Sequence, residues 1–259
     1  MDQLEQAVVN AFHILYYYGR TWNKGYTVWM GIPCLQCPFD MWQLQHIIQE
    51  TWPDLIIETG SAVGGSALFY ANMYDLMANR LDLKKHKDWS NSGQIVSIDT
   101  QEVMKPTVKH PRITFLKGSS TDPKIVEKIK SKIDTQRVMV ILDSDHRAEH
   151  VLEELKIYSA LVTPGCYLVV MDTNLGGNPI WNGAVPGPGP MAAVREFMAG
   201  NEEFEIDEER EDFYMTFSPS GWLRKREKED GTIQRNPRTV RRKRRAAQRV
   251  PSHGSERPS

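Results

Sequence analysis

Four acidic residues in this chain could act together in one site because each follows a short run rich in Ile, Leu and Val. They are Glu58, Asp99, Asp143 and Asp172. Such runs predict buried strands. In an open parallel sheet, ligands bind beyond the carboxyl ends of the strands, so these carboxylates are expected to converge. Carboxylates accept hydrogen bonds from hydroxyl groups, such as those of a ribose, and this is the chemistry expected there.

The first of these acids begins a glycine turn with the pattern E-x-G-x-x-x-G-G-S, from Glu58 to Ser66. A strand precedes the turn and an apolar helix follows it, as in the first crossover of a nucleotide-binding sheet. The glycines would let a ligand approach the backbone, and the helix N-terminus offers free N–H groups. The spacing differs from the G-x-G-x-x-G of dinucleotide enzymes. Asp99, about 40 residues later, would bind ribose hydroxyls or simply cap its strand.

The elements that must position these residues alternate between strand and helix. Strands are predicted at 55–57, 94–99, 112–117, 138–143 and 166–172, with helices from Ser66, Asp122, Ala148 and Met191. This alternation predicts an α/β fold with a doubly wound, mostly parallel sheet. A closing antiparallel pair is expected at 204–206 and 214–217. A Gly- and Pro-rich loop at 176–190 is expected to cover the site.

Three regions are predicted along the chain. Residues 1–52 form a helical, aromatic-rich cap, 53–222 the sheet domain, and 223–259 a basic tail that is expected to be disordered. From Arg224 onwards there are 13 Lys/Arg and 4 Asp/Glu (+9), whereas the rest has 19 basic and 29 acidic residues (−10). Only the tail therefore favours contact with nucleic acid. The aromatic cap would line a substrate site or, as favoured here, pack internally and in a homo-oligomer interface.

Composition favours a cytoplasmic protein without a membrane segment. The chain has no run of 18 apolar residues and no signal-peptide pattern at its start. Its three cysteines do not make a disulfide framework, which favours a reducing compartment. Cys34 and Cys37 have the spacing of a redox or zinc pair, but no second pair accompanies them, and a packed, reduced pair is predicted.

Several segments together resemble the cephalosporin hydroxylase and rhamnosyl O-methyltransferase family. They are the turn at 58–66, Leu142-Asp-Ser-Asp-His146, Val170-Met-Asp-Thr-Asn174, Gly187-Pro-Gly-Pro190 and the lead-in Gly31-Ile-Pro-x-x-x-Cys-Pro-x-Asp40. The resemblance covers roughly residues 20–222. It implies the Rossmann-like fold of methyltransferases that use S-adenosylmethionine, with a divalent metal, usually magnesium, near the transferred methyl group.

The resemblance also implies roles for individual positions. Glu58, Gly60 and Ser66 would lie along the methionine part of the cofactor, Asp99 would hold the ribose, and Gly118 and Ser119 would lie near the adenine. Ser61, Gly64, Thr100 and Asp143 complete the expected cofactor-binding set. Asp143 and Asp172 would bind the metal. Because His146 lies next to this expected metal, it is the expected general base and, with Asp143, a catalytic residue. Alternatively, His146 is a polar residue at the start of a helix that faces solvent or bonds a carboxylate.

The chain departs from the family pattern at Met171, where relatives often have a glutamate before the aspartate. Asp145 or Asn174 would replace that ligand, or the metal would be weak or absent. Asp143 and Asp145 would alternatively serve as cofactor or helix caps. His146 and His150 also raise the hypothesis of an iron oxygenase with two histidines and a carboxylate, although the usual H-x-D/E order is missing. His150 is otherwise expected on the surface.

The favoured function is an O-methyltransferase that transfers a methyl group from S-adenosylmethionine to a hydroxyl of a small molecule, a sugar or a natural product, assisted by a divalent metal. Two alternatives remain. One is a nucleic-acid-directed methyltransferase that uses the basic tail to hold its substrate. The other is a non-catalytic family member, which Met171 keeps open.

Overall fold

A computed structural model describes residues 2–19, 27–79, 93–102, 104–134, 136–181 and 187–227. The predictions for the basic tail after Glu227, for most of the charged connection at 79–93, for Trp22 and for the middle of the 176–190 loop lie outside these residues. Met1–Arg226 forms one compact unit, so the cap and the sheet belong to the same body. No helix among the described residues is long and apolar enough to cross a membrane.

The N-terminal cap consists of two helices and a minimal hairpin. Helix α1 (Gln3–Tyr18) begins with a capping box in which Asp2 and Glu5 each accept the other's backbone N–H at 2.8 Å. Strands β1 (Val28–Trp29) and β2 (Ile32–Pro33) pair with each other and not with the main sheet. Helix α2 (Pro38–Thr51) has a proline in its first turn, as the sequence predicts. The predicted helical cap is present, with this hairpin added.

Five parallel strands form most of the main sheet. Along the chain they are β3 (Leu55–Thr59), β4 (Gln94–Asp99), β5 (Ile113–Lys117), β6 (Val138–Leu142) and β7 (Tyr167–Val170). Their order in the sheet is β5-β4-β3-β6-β7. The chain therefore builds outwards from β3 in one direction and then returns to build in the other. The switch point lies between β3 and β6, where a crevice opens at the carboxyl ends of both strands.

Helices cover both faces of the sheet, which confirms the predicted doubly wound α/β fold. They are α3 (Gly65–Asn79), α4 (Pro123–Lys130), α5 (Ala148–Tyr158) and α6 (Pro190–Met198). Successive side chains of a strand point to opposite faces. Leu55 and Ile57 accordingly pack in a core with α5 and α6, whereas Ile56 packs in a second core with α2 and α3. All three are almost fully buried, which explains the unbroken apolar runs in the sequence.

The sheet ends in an antiparallel pair, and one of its two predicted strands is wrong. Strand β8 (Phe204–Ile206) is confirmed, but its partner is β9 (Trp222–Lys225), which lies between β7 and β8, and not residues 214–217. Trp222 and Leu223 are completely buried, whereas Tyr214 is 52% exposed. The predicted tail begins at residue 223, but β9 continues to Lys225 because this inner position of the sheet buries its apolar residues.

Candidate active site

A cleft of about 630 Å³ opens at the carboxyl ends of the strands, at the switch point of the sheet. The following predicted site residues line it: Gly60, Ser61, Ser66, Asp99, Thr100, Gly118, Ser119, Asp143, His146 and Asp172. Glu58 and Gly64 do not. The structure therefore brings together residues from five separate segments, as expected from parallel strands that end at one edge.

The glycine turn after β3 is shaped by close approaches between segments of the protein itself. Gly60 has φ +89°, and a Cβ there would lie 1.9 Å from the backbone oxygen of Asp143. A Cβ on Gly65 would lie 2.1 Å from the backbone oxygen of Pro33 in the cap. From the sequence, these glycines are expected to let a ligand approach the backbone. In the structure, backbone atoms of Asp143 and Pro33 occupy the positions that their Cβ atoms would take. Gly65 thus lets the cap form one wall of the cleft.

Glu58 is completely buried behind this turn and acts on the cleft through two serines. Ser97 donates a hydrogen bond to its Oε2 at 2.5 Å, and the hydroxyls of Ser97 and Ser61 are 2.6 Å apart. Because the Ser97 proton is directed to Glu58, Ser61 donates to Ser97, and Ser61 lines the cleft. Burial raises the pKa of Glu58 to about 7. The structure thus places Glu58 under the loop that forms the cleft floor.

Asp99 holds the loops on both sides of the second strand end. Its Oδ2 accepts from the backbone N–H of Ala62 at 2.9 Å, and its Oδ1 accepts from Gln101 at 2.7 Å. Each carboxylate oxygen can accept a second hydrogen bond, and the residue lines the cleft beside Thr100. Asp99 therefore fixes the glycine turn and still offers acceptors to a ligand such as a ribose.

Asp143, His146 and Asp172 form a cluster in the wall of the cleft. Each offers one ligand atom, and these three atoms all lie within 4.8 Å of one another. The Nε2 of His146 is 3.4 Å from Oδ2 of Asp172. Asp172 has φ +54°, a left-handed conformation that costs free energy in most residues but is tolerated by Asp. This strained turn just after β7 carries a predicted metal ligand.

Burial and like charge disfavour two ionised carboxylates in this cluster. Burial raises the pKa of Asp143 well above its usual value, and Asp172 and Glu58 raise it further. Burial also raises the pKa of Asp172, while the nearby His146 lowers it. The Nε2 of Gln36 donates to Oδ2 of Asp143 at 2.5 Å and favours the ionised form. A divalent cation would neutralise this charge, so the donors present fit a hard cation.

The residues considered as replacements for the acid missing at Met171 do not join the cluster. Asp145 is held by the Arg147 guanidinium, with Nε–Oδ2 at 2.9 Å, and it accepts the Arg147 backbone N–H. Asn174 is buried beside α1, where its Nδ2 contacts Nδ1 of His13 at 3.2 Å. Met171 itself packs in the core with α2 and α3. The cluster of described residues therefore has two carboxylates and one imidazole.

The prediction that His150 lies on the surface is wrong. Its side chain is 19% exposed and lines the cleft, with Nε2 3.2 Å from the hydroxyls of both Ser120 and Ser144. It is not part of the cluster formed by His146, so the two-histidine, one-carboxylate site of the oxygenase hypothesis is not formed by these residues.

The cap also contributes to the cleft, which the sequence does not predict. Pro33, Leu35 and Gln36 line it, and Gln36 reaches a predicted catalytic residue 107 positions away. No local pattern signals such a contact; the only hint is that the family lead-in at 31–40 includes this segment. By contrast, Cys34 and Cys37 are free and buried, as predicted. Some cap aromatics pack internally, with Tyr16 against Phe217 at 5.2 Å between ring centroids, whereas Tyr18 and Trp42 are exposed.

Comparisons with known proteins agree with this architecture. Residues 21–226 match the family described as Rhamnosyl O-methyltransferase/CmcI. The chain is 36% identical over 226 residues to the rhamnosyl O-methyltransferase of Mycobacterium leprae (strain TN), covering 84% of this chain and 90% of that protein. It is 34% identical over 223 residues to that of Mycobacterium bovis, covering 84% of each.

Solved structures of CmcI share the fold. One with Mg and SAM is 17% identical, with a TM-score of 0.54 and coverage of 77% of this chain and 76% of that chain. An apo-structure is 18% identical, with a TM-score of 0.56 and coverage of 78% and 76%. These findings confirm the resemblance carried by the strand-end motifs. The chain therefore belongs to the rhamnosyl O-methyltransferase/CmcI family of S-adenosylmethionine-dependent methyltransferases.

Proposed function

We propose that this protein transfers the methyl group of S-adenosylmethionine to a hydroxyl of a small glycosidic molecule, with a divalent cation, Mg²⁺, bound by Asp143 and Asp172 beside His146. The observation that carries the proposal is the continuity of the cleft. It runs from the glycine turn and Asp99 to the Asp143 cluster, so a cofactor and a cation would meet in one space. The rhamnosyl O-methyltransferase relatives support a sugar hydroxyl as the acceptor.

Each group of residues has a distinct task in this proposal. Ser61, Ser66 and the turn from Gly60 hold the methionine part, Asp99 and Thr100 hold the ribose, and Gly118 and Ser119 border the adenine. Positioning of this kind supplies much of the rate of a transfer between two bound reactants. Glu58, behind Ser61 and Ser97, keeps the turn in place. The cap segment 33–36 closes the cleft beside the acceptor.

Proton removal from the acceptor is assigned to His146. Its imidazole lies on the cleft wall, 3.4 Å from the carboxylate of Asp172. That carboxylate would stabilise the imidazolium that forms when His146 takes the hydroxyl proton. A cation held by the cluster would lower the pKa of the acceptor hydroxyl and orient it. Gln36 would keep Asp143 oriented toward the cation.

The proposal is tested by calorimetry and by turnover. Purified, cofactor-free protein is titrated with S-adenosylhomocysteine, and labelled S-adenosylmethionine is then incubated with rhamnosides in Mg²⁺ or in EDTA. Binding, followed by methylated sugar only in Mg²⁺, is expected. The absence of binding heat would overturn the proposal. Binding without transfer to any hydroxylated acceptor would instead favour the non-catalytic alternative, and methylation of RNA would favour the nucleic-acid alternative.

We also propose a homo-oligomer that associates through α1 and resides in the cytoplasm. Helix α1 has exposed residues at alternating intervals of four and three, which is the spacing of the apolar positions through which two helices pair. They are Leu4, Val8, Ala11, Leu15 and Tyr18. The three free cysteines suit a reducing compartment. Light scattering should show that the double substitution L4E/L15E lowers the mass to that of one chain. A wild-type protein that is already monomeric would refute self-association.

A further inference from the structure

Glu154, on the inner face of α5, is a buried carboxylate that has no role in the proposed methyl transfer. Its side chain is 0% exposed. Its Oε1 accepts the hydroxyl of Ser144 at 2.7 Å and lies 3.5 Å from Nε2 of His150, while its Oε2 has no hydrogen-bond partner among the described residues. Burying a carboxylate is costly unless it is paired, so its local partners indicate what it does.

The hydrogen-bond directions around Glu154 fix the state of His150. Ser144 gives its only hydroxyl proton to Glu154, so its oxygen can only accept from Nε2 of His150 at 3.2 Å. Nε2 therefore carries a proton. The other ring nitrogen, Nδ1, makes no hydrogen bond within the described part of the chain, and the ring lines the cleft. Nδ1 is the atom left for a ligand, and it is a donor only when the ring is protonated.

The surroundings of His150 favour the protonated ring. The pKa of His150 is raised above its ordinary 6.5, mainly by the hydrogen bond to Glu154. Burial lowers this pKa, whereas the charges of Glu154, Asp145 and Glu153 raise it further. Ser120 adds a hydroxyl at 3.2 Å from Nε2, and its backbone oxygen accepts from Tyr158 at 2.7 Å. The loop at 118–120 is therefore fastened to α5 through these contacts.

We propose that His150 binds the adenosine part of the cofactor by donating a hydrogen bond from Nδ1 to a nitrogen or oxygen acceptor, and that Glu154 is the positioning residue that orients and charges it. The proposal rests on the proposed function, which puts adenosine beside Gly118 and Ser119. His150 contacts Ser120, which directly follows these two residues and also lines the cleft. Neither residue takes part in methyl transfer.

The test is calorimetric titration with S-adenosylhomocysteine in metal-free buffer, with the variants E154Q and H150Q. At neutral pH both variants should bind about tenfold or more weakly than the wild type, because each would lose a hydrogen bond between the cofactor and a charged group. The control is E196Q, which removes the same charge from an exposed position of α6 that does not line the cleft, and it should bind like the wild type.

The pH profile separates this role from a merely structural one. Wild-type affinity should weaken as the pH rises through the raised pKa of His150. E154Q should move that weakening to lower pH, and H150Q should abolish it. Carbon-13 NMR of the His150 ring should show the same fall in pKa without any cofactor. E154Q should change the melting temperature little, because it removes a buried charge and its amide oxygen can still accept the hydroxyl of Ser144.

The outcomes distinguish this inference from the proposed function. Wild-type binding with unchanged affinity and pH profile in E154Q and H150Q would overturn the inference alone. A wild-type protein that does not bind S-adenosylhomocysteine would overturn both. An E154Q protein that melts several degrees lower and loses affinity equally at every pH would show that Glu154 is only structural.

Discussion

The protein has two histidine–carboxylate pairs whose histidines lie only four residues apart in the chain. The pairs differ in distance along the chain, in burial and in the groups that they face. His146 and Asp172 come from different segments, are 3.4 Å apart, and have side chains that are 25% and 15% exposed. His150 and Glu154 are on one helix and 3.5 Å apart, but Glu154 is completely buried. The first pair faces a second carboxylate, Asp143, whereas the second faces two serine hydroxyls.

The difference indicates what each pair can do. Asp143 and Asp172 are both open to the cleft, and their mutual repulsion favours a cation or a proton between them. Glu154 has no access to the cleft, and one of its oxygens is already used by a hydroxyl and an imidazole. It can only act by orienting His150. The first pair is therefore suited to chemistry and the second to holding a ligand.

The largest expected effect is at Asp143. D143N should reduce the kcat for methyl transfer by about 10³-fold, since loss of a metal ligand removes several kcal/mol of charge stabilisation. S-adenosylhomocysteine should still bind, as measured by calorimetry. D134N, at an exposed position outside the cleft, is the control. Full activity of D143N would show that the cluster of Asp143, His146 and Asp172 does not take part in the chemistry.

A smaller loss is expected for the general base. H146Q should lower kcat by about 10²-fold, the lower range for general acid–base catalysis, with unchanged affinity for S-adenosylhomocysteine. H150Q should do the opposite and weaken cofactor binding more than it slows the bound reaction. Steady-state kinetics with calorimetry measures both. If H146Q and H150Q changed kcat and cofactor affinity in the same proportion, the two pairs would not differ in function.

Gln36 should affect the cation more than the cofactor. Q36L removes the hydrogen bond that orients Asp143, and such supporting contacts are worth about 10–100-fold in metal affinity. Mg²⁺ titrations followed by thermal melting would measure this. Q45L, on α2 and away from the cleft, is the matched control. Equal Mg²⁺ affinity in Q36L and wild type would contradict the assignment.

The smallest effect is the pH dependence of stability. Burial raises the pKa of Asp40 to about 7, as it does for Glu58. Because the folded pKa exceeds the unfolded one near 4, stability is highest below that value and falls as the pH rises toward 7. In EDTA the melting temperature should fall by several degrees between pH 5 and pH 8, with a smaller fall for D40N. Mg²⁺ should raise it more at pH 8. A flat EDTA profile would contradict this.

Much of the fold could be predicted because its signals are local. Buried parallel strands are apolar on both faces, so β3, β4, β6 and β7 appear as apolar runs ending near an acid. Strand β9 could not be found in this way. Its Trp222-Leu-Arg-Lys225 segment leads directly into basic residues, and only its place between β7 and β8 makes it a strand.

The site divides in the same way. The strand-end acids were predictable because parallel strands bring their carboxyl ends to one edge. Gln36 and the cleft-facing role of His150 were not, because they depend on contacts between segments far apart in the chain. The helical spacing of His146 and His150 even suggested one shared site. In the structure His146 precedes α5 and faces Asp172, whereas His150 is on the helix and faces Ser120 and Ser144.

By itself, the sequence determined the alternation of strands and helices, the glycine turn and the acids that follow the strands, since these are set by local hydrophobicity and backbone conformation. It thereby determined the family and the donor of the methyl group. Only the tertiary structure decided which acids remain open to the cleft and which are buried, and that the cap supplies Gln36 to Asp143. Burial and long-range contacts set the charge and orientation of each group, and neither is encoded in local spacing.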